Sequence, residues 1–169
     1  FHRLLHLAAC YRLTVTLIST YVNHMSELLA LSVTHEVRDR CLCLHLQRAG
    51  RVVARMFDEA LRPLDLTNGQ FSILNALNRP KPPHLSELAR FLGMDHSTMT
   101  AAVKPLERRG LMTVTADTAD RRSKLAALTG AGHELLIKAV PIWRATHDRV
   151  DALAGGNIPL GGLRKVSGL

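Results

Sequence analysis

Apolar residues recur at helical spacing in two long stretches, one in the first half of the chain and one near its end. The first covers residues 37–61 and carries apolar residues at Val37, Cys41, Leu44, Ala49, Val52, Val53, Met56, Phe57 and Ala60. The second carries Leu135, Ala139, Ile142, Trp143, Thr146, Val150 and Leu153. Steps of three and four place such residues on one helix face. The pattern predicts long helices over residues 37–62 and 130–154, each with one broad apolar stripe.

Shorter elements are expected between them, in residues 63–129. Thr67 is placed to cap a helix that runs to about residue 77, and the proline-rich loop 79–83 follows. A helix over 86–92 is expected to end at Gly93 in a left-handed conformation. Asp95 then caps a helix that lasts to about Arg109. Two helices joined by a three-residue turn are typical of a DNA-reading unit.

Two short strands complete this lobe. Residues 111–116 and 123–128 alternate between apolar and polar types, and residues 117–122 form the tip between them. The predicted fold class is mainly α with a small β-wing, that is, a winged helix-turn-helix between long N- and C-terminal helices.

The two ends of the chain are less regular. Residues 1–36 are expected to be an N-terminal extension. Residues 1–24 contain no acid and precede Met25, so we hypothesise that this segment is translated upstream sequence or an added extension. The glycine-rich residues 155–169 are expected to form a flexible tail.

Composition narrows the functional class. The net charge is +8 and the isoelectric point is near 10.1, which indicates a polyanionic partner, most often nucleic acid. Three cysteines are too few for a disulfide scaffold and fit a reduced, cytoplasmic compartment. The longest apolar run is too short to span a bilayer, so no membrane association is expected. No phosphate loop, metal-ligand spacing or nucleophile–base pattern is visible, so we predict no enzyme, cofactor or metal site.

The helix after Asp95 has two contrasting faces. Met99, Ala102, Val103 and Leu106 share the side expected to pack inward. The candidate DNA-reading residues are His96, Ser97, Thr98, Thr100, Ala101, Lys104 and Arg108. Small residues let a helix enter the major groove, where hydroxyls meet phosphates or base edges and cations meet phosphates or guanine. The alternative is an ordinary amphipathic helix with a solvated face.

The predicted hairpin tip is the second candidate contact. Its residues are Asp120, Arg121, Arg122 and Lys124. A carboxylate in a tight tip can hold a guanidinium in a fixed direction, and an extended arginine suits the narrow, electronegative minor groove. A solvated charged turn is the alternative.

The sequence resembles the MarR family of winged helix-turn-helix repressors over about residues 37–154. The resemblance rests on LSELA (85–89), GMDHSTMT (93–100), LERRGLM (106–112), DTADRRSK (117–124) and LTGAG (128–132). It implies a homodimer joined by its terminal helices and a palindromic operator on double-stranded DNA, with half-sites about one helical turn apart. By family pattern, Asp120 orients Arg122, and Ala119 stands where many members have an arginine or a similar residue.

The resemblance also implies a signal that the regulator senses. Cys43 aligns with the reactive cysteine of the hydroperoxide-sensing members, although Gln47 and Phe57 stand where that subgroup has tyrosines. A cysteine near a helix start and basic residues can be oxidised to a sulfenic acid, whereas Cys41 and Cys43 can equally be small buried apolar residues. A small aromatic acid in the cleft between the dimer helices and the DNA-binding lobe is another candidate inducer.

We therefore predict a sequence-specific DNA-binding regulator, a repressor that acts as a homodimer and is released by a small-molecule or oxidative signal. One alternative is a thiol-based redox regulator that uses Cys43. Another, from a different class, is a winged-helix module that docks a protein partner.

Overall fold

A computed structural model describes residues 15–19, 29–120, 123–156, 158 and 160–168. By its internal contacts the chain divides into two compact units, Phe1–Arg48 and Ala49–Leu169, which are described separately. The described elements are mainly helical, with one two-stranded sheet. None of the helices in the described residues combines the length and apolar character needed to span a bilayer. Most of the proposed N-terminal extension lies outside the described residues.

The long helix expected over residues 37–62 is divided at Cys41. Helix α1 spans Leu31–Arg40 and helix α2 spans Leu42–Leu61. Between them Cys41 takes an extended backbone (φ −72°, ψ 98°), and its Sγ accepts a hydrogen bond from the backbone N–H of Leu44 at 3.4 Å. This sulfur accepts from one of the backbone N–H groups that have no partner at the start of α2. It therefore acts as a capping group and favours the start of a new helix at Leu42.

The core lies in the second unit and begins at the end of α2. A 3₁₀ turn, Arg62–Leu64, leads to helix α3, Asn68–Ala76. Thr67 caps α3 as expected: its side chain accepts from the N–H of Gln70, whose side chain in turn accepts from the N–H of Thr67. The fully buried large side chains are Leu61, Ile73, Leu74, Leu88, Met99, Leu106 and Met112. Residues from α2, α3, the helix-turn-helix and the wing thus share one core.

The helix-turn-helix has the predicted caps. Helix α4 spans Leu85–Phe91 and helix α5 spans His96–Arg108. Gly93, at φ 65°, makes the left-handed turn that ends the first helix, and Gly110, at φ 68°, follows the second. Asp95 caps α5 by accepting from the N–H of Thr98 at 2.8 Å.

The wing consists of strands β1, Met112–Ala116, and β2, Lys124–Leu128. They are antiparallel, with Met112 opposite Leu128 and Ala116 opposite Lys124. The segment before α4 extends the sheet, because Ala126 N–H donates to the Pro83 carbonyl at 3.0 Å and His84 forms a bridge with Leu125. The wing is therefore joined to the start of the helix-turn-helix through the backbone.

The last long helix, α6, spans Gly130–Leu153, close to the predicted 130–154, and is capped by Thr129. Ala139, Thr146 and Val150 of the predicted stripe are buried, but Leu153 is 75% exposed because it lies in the last turn, beyond the buried part of the helix. Leu136 is buried although the predicted stripe omits it.

A further helix, α7 (Leu160–Ser167), lies within the segment that the sequence predicted to be a flexible tail. Leu160, Leu163 and Val166 recur every three residues, but Gly161 and Gly162 disfavour a helix on propensity alone.

Candidate nucleic-acid interface

Helix α5 separates a packed face from an exposed face. Met99, Val103 and Leu106 are buried in the core. His96, Ser97, Thr98, Ala101, Lys104 and Arg108 are exposed, and Thr100 is half-buried. All seven predicted reading residues are therefore on or near one accessible surface. Because the packed face fixes the rotation of the helix, it also fixes which side chains can reach a duplex.

The start of α5 is organised by Asp95. Its Oδ1 accepts from Ser97 Oγ at 2.5 Å and from Thr98 N–H at 2.8 Å, and its Oδ2 accepts from Thr98 Oγ1 at 2.6 Å. The hydrogen bonds from Ser97 and Thr98 hold the pKa of this carboxyl well below its usual range. The sequence predicted the cap; the two hydroxyl bonds follow from the spacing Asp-x-Ser-Thr, which could have indicated them.

Basic side chains at the other end of α5 differ in role. Lys104 and Arg108 are exposed. Arg109 instead donates through Nη1 to the backbone carbonyl of Asp65, and through Nη2 to that of Leu64 at 3.3 Å. This arginine therefore ties the end of α5 to the turn before α3, whereas Lys104 and Arg108 lie on the exposed face of the helix.

The hairpin tip is described only in part. Asp120 is exposed and its Oδ2 accepts from Ser123 Oγ at 2.8 Å, while Ser123 N–H donates to the Asp120 carbonyl at 2.8 Å. Lys124 is exposed at the start of β2. Arg121 and Arg122 lie outside the described residues, so the orientation of Arg122 by Asp120 stays a prediction.

Sequence reasoning missed a contact between the wing and the helix-turn-helix. His84 Nε2 lies 3.7 Å from Asp117 Oδ2. Asp117 also accepts from Ala119 N–H at 2.9 Å, and its own N–H donates to the Ser123 carbonyl at 3.0 Å. One aspartate thus shapes the tip and contacts the residue before α4.

Cys41 and Cys43 differ in accessibility. Cys43 is exposed, and Gln47 Nε2 donates to its Sγ at 3.3 Å. Cys41 is half-buried. Gln47, which stands where the hydroperoxide-sensing subgroup has a tyrosine, therefore donates a hydrogen bond to the Cys43 thiol. Within the described part of the chain, no three His, Cys, Asp or Glu side chains lie close enough together to hold a metal ion.

A groove of about 500 Å³ opens between α3, α4 and α6. Its residues are Phe71, Ser72, Asn75, Phe91, Leu92, Val140, Trp143 and Arg144. Trp143 stacks on Phe71 with ring centroids 6.3 Å apart and on His147 at 5.0 Å. The groove combines aromatic walls with one exposed cation, which suits a flat anionic molecule.

A helix-turn-helix followed by a two-stranded antiparallel wing defines the winged helix-turn-helix class. A model of the MarR family matches residues 66–124, which cover α3 to the start of β2. The MosR transcriptional regulator of M. tuberculosis, solved in complex with DNA, is 36% identical with a TM-score of 0.66, over 76% of this chain and 92% of that one.

Two curated relatives are similar to the chain over about two thirds of its length. The transcriptional activatory protein BadR of Rhodopseudomonas palustris is 30% identical over 113 residues, which are 64% of this chain and 65% of BadR. The organic hydroperoxide resistance transcriptional regulator of Bacillus subtilis is 30% identical over 108 residues, which are 64% of this chain and 74% of that protein. The chain thus spans slightly less than two thirds of BadR. It belongs to the MarR family of winged helix-turn-helix transcription regulators, a non-enzymatic family.

Proposed function

We propose that the protein is a sequence-specific DNA-binding transcriptional repressor that binds a palindromic operator as a homodimer. The main support for this proposal is the exposed face of α5, where short polar side chains at the N-terminal end are followed by Lys104 and Arg108. This arrangement fits base contacts near the helix start and phosphate contacts further along. The net charge of +8 and the similarity to MosR, which was solved with DNA, support the same proposal.

Exposed apolar side chains support the homodimer. Leu160, Leu163 and Val166 of α7 are 42%, 41% and 74% exposed in the single chain. In the other unit, Leu31 and Val37 of α1 are also largely exposed. Soluble chains rarely leave such rows uncovered, and a second copy would cover them. The dimer would present two α5 helices and two wings to one duplex.

The test is selection of bound sequences from a random duplex pool, with affinity measured over a salt series. We expect a two-fold symmetric site and an affinity that falls steeply with salt. Recovery of no preferred sequence, with no salt-sensitive binding, would favour a protein-docking module instead.

The wing assignment needs its own variant. Arg122→Ala is expected to weaken operator binding clearly, because it removes the guanidinium proposed for the minor groove. Arg149→Ala, at an exposed position of α6, is the matched control and is expected to leave affinity unchanged. Unchanged operator affinity in Arg122→Ala would contradict the assignment.

Deletion of the gene that encodes the protein in its host is expected to raise transcription from the operator, whereas a fall in transcription would indicate an activator.

A small aromatic anion in the groove between α3, α4 and α6 is the first proposed release signal. Arg144 would pair with the anion, and Trp143 would stack on the ring. Because Trp143 is the single tryptophan of the chain, its fluorescence reports the groove directly. Salicylate, as a probe, is expected to quench it and to weaken DNA binding; quenching that persists in Arg144→Ala would rule out this anion contact.

Oxidation of Cys43 is the second candidate signal, favoured by its exposure and by the bond from Gln47. Organic hydroperoxide would convert its thiol to a sulfenic acid, with the peroxide reduced to an alcohol, and lower operator affinity. Cys43→Ser is expected to abolish the loss, whereas Cys41→Ser retains it. A peroxide response that survives in Cys43→Ser would eliminate this candidate.

A further inference from the structure

Three hydroxyl groups in the first two turns of α5 have their hydrogens committed within the protein. Ser97 and Thr98 donate to the Asp95 carboxylate, at 2.5 and 2.6 Å, and Thr100 Oγ1 donates to the His96 carbonyl at 2.8 Å. A hydroxyl carries one hydrogen and two lone pairs. Each group therefore retains only acceptor capacity for any further partner.

The direction of these bonds is set by the chemistry of the acceptors. A peptide carbonyl has no hydrogen to give, and neither has an ionised carboxylate. Asp95 is ionised at neutral pH, since its ordinary pKa is already 3.8 and the bonds from Ser97 and Thr98 lower that pKa further. The hydroxyls must therefore be the donors, and they cannot exchange roles with Asp95.

The base edges in the major groove differ in whether they accept or donate a hydrogen bond. Guanine O6 and N7 and thymine O4 are acceptors, while the amino groups of adenine (N6) and cytosine (N4) are donors. Assuming the proposed entry of α5 into the major groove, we infer that Thr98, assisted by Ser97, accepts a hydrogen bond from an adenine or cytosine amino group. Asp95 is then the specificity-determining residue, because it consumes the hydroxyl hydrogens and fixes this polarity.

Two competing arrangements are weaker. Turning the Thr98 hydroxyl towards a guanine acceptor would exchange a charge-assisted bond for a neutral one, which is about half as strong. Turning it towards a phosphate would keep a charged acceptor but would bring that anion close to the Asp95 carboxylate. Reading an amino group requires neither loss.

The experiment uses the full chain and duplexes that the wild-type protein selects from a random pool. Thr98→Val and Ser97→Ala first identify the base pairs whose preference depends on each hydroxyl. At those pairs adenine is replaced by purine, or cytosine by 2-pyrimidinone, which deletes only the amino group. We expect a loss in affinity of about 2- to 10-fold for the wild type, corresponding to one hydrogen bond, and no loss in Thr98→Val.

Asp95→Asn tests the positioning role. Its carboxamide oxygen can still accept from Thr98 N–H, but its nitrogen donates to Thr98 Oγ1 and releases the hydroxyl hydrogen. Deletion of the base amino group should then cost less than in the wild type, because the freed hydroxyl hydrogen can be donated to N7 of a purine base. Asp148→Asn removes the same charge from an exposed position of α6 and should behave as the wild type. Thermal unfolding of each variant checks that the fold is retained.

The outcomes separate the inference from the function on which it rests. If the wild type binds no duplex in a salt-sensitive manner, the proposed function fails and the inference fails with it. If the wild type selects a site but tolerates deletion of the amino groups, or if Thr98→Val loses no base preference, the inference alone is overturned.

Discussion

Replacing Gly132 by alanine tests how closely the start of α6 approaches the wing. A Cβ on Gly132 would lie 2.0 Å from the Leu111 carbonyl oxygen and 2.8 Å from Leu128 Cδ1. The carbonyl cannot move away freely, because it accepts a hydrogen bond from Thr129 N–H at 3.2 Å. Thr129 in turn caps α6 and donates through its hydroxyl to the Gly110 carbonyl at 2.7 Å. Only a residue without a side chain fits this junction.

The magnitude follows from two opposed effects. Overpacking against fixed backbone costs up to about 3 kcal/mol, and the helix propensity of alanine returns about 1 kcal/mol. A net loss of about 2 kcal/mol corresponds to a fall of about 4–8 °C in Tm for a chain of this length. Gly130→Ala, two residues earlier in the same helix, meets nothing within 4 Å and is the matched control. It should raise Tm by up to about 4 °C.

The assay is thermal and urea unfolding of both variants and the wild type at one protein concentration, because stability in an oligomer depends on concentration. The expected result is a change of opposite sign for two Gly-to-Ala substitutions in one helical turn. If Gly132→Ala is as stable as Gly130→Ala, the start of α6 does not approach Leu111 and Leu128 this closely, and the steric argument is wrong.

Three further outcomes are expected. Thr129→Val loses the α6 cap and the bond to Gly110, so its free energy of unfolding should fall by about 1–2 kcal/mol in urea titrations. Lys104→Ala should make the slope of log affinity against log salt less negative by about 0.9, because one phosphate contact is lost. Lys138→Ala on α6 should leave the slope unchanged. The contribution of Asp95 to stability is present above its ordinary pKa of 3.8 and declines as the pH falls below it, so the stability gap between wild type and Asp95→Asn should narrow from pH 7 to pH 3.

Much of the DNA-binding lobe could be predicted because its elements end at residues with local effects. Thr67, Asp95 and Thr129 each cap a helix through a side-chain oxygen, and Gly93 adopts the left-handed conformation that terminates α4. These are interactions between residues two to four positions apart, so the order of residues is sufficient to indicate them.

Features that depend on weak or distant contacts could not be predicted in the same way. The break at Cys41 depends on a sulfur acceptor, which is not among the usual capping groups. Helix α7 contains Gly161 and Gly162, whose low helix propensity concealed the apolar repeat around them. The contact of His84 with Asp117 joins residues 33 positions apart through the wing sheet. Periodicity carries no information about the break at Cys41 or the contact of His84 with Asp117.

Residue type alone also leaves open what a polar side chain can read. Ser97 and Thr98 could each donate or accept at a base edge if considered in isolation. Asp95 removes that freedom by capping α5 and by taking both hydroxyl hydrogens. In the proposed complex with DNA, the same carboxylate that starts the helix narrows the set of bases that its first turn can recognise. A Ser or Asn side chain also caps helices, but it could itself donate and would leave the hydroxyls free in either direction. On the proposed readout, Asp at this position would thus serve base recognition as well as folding.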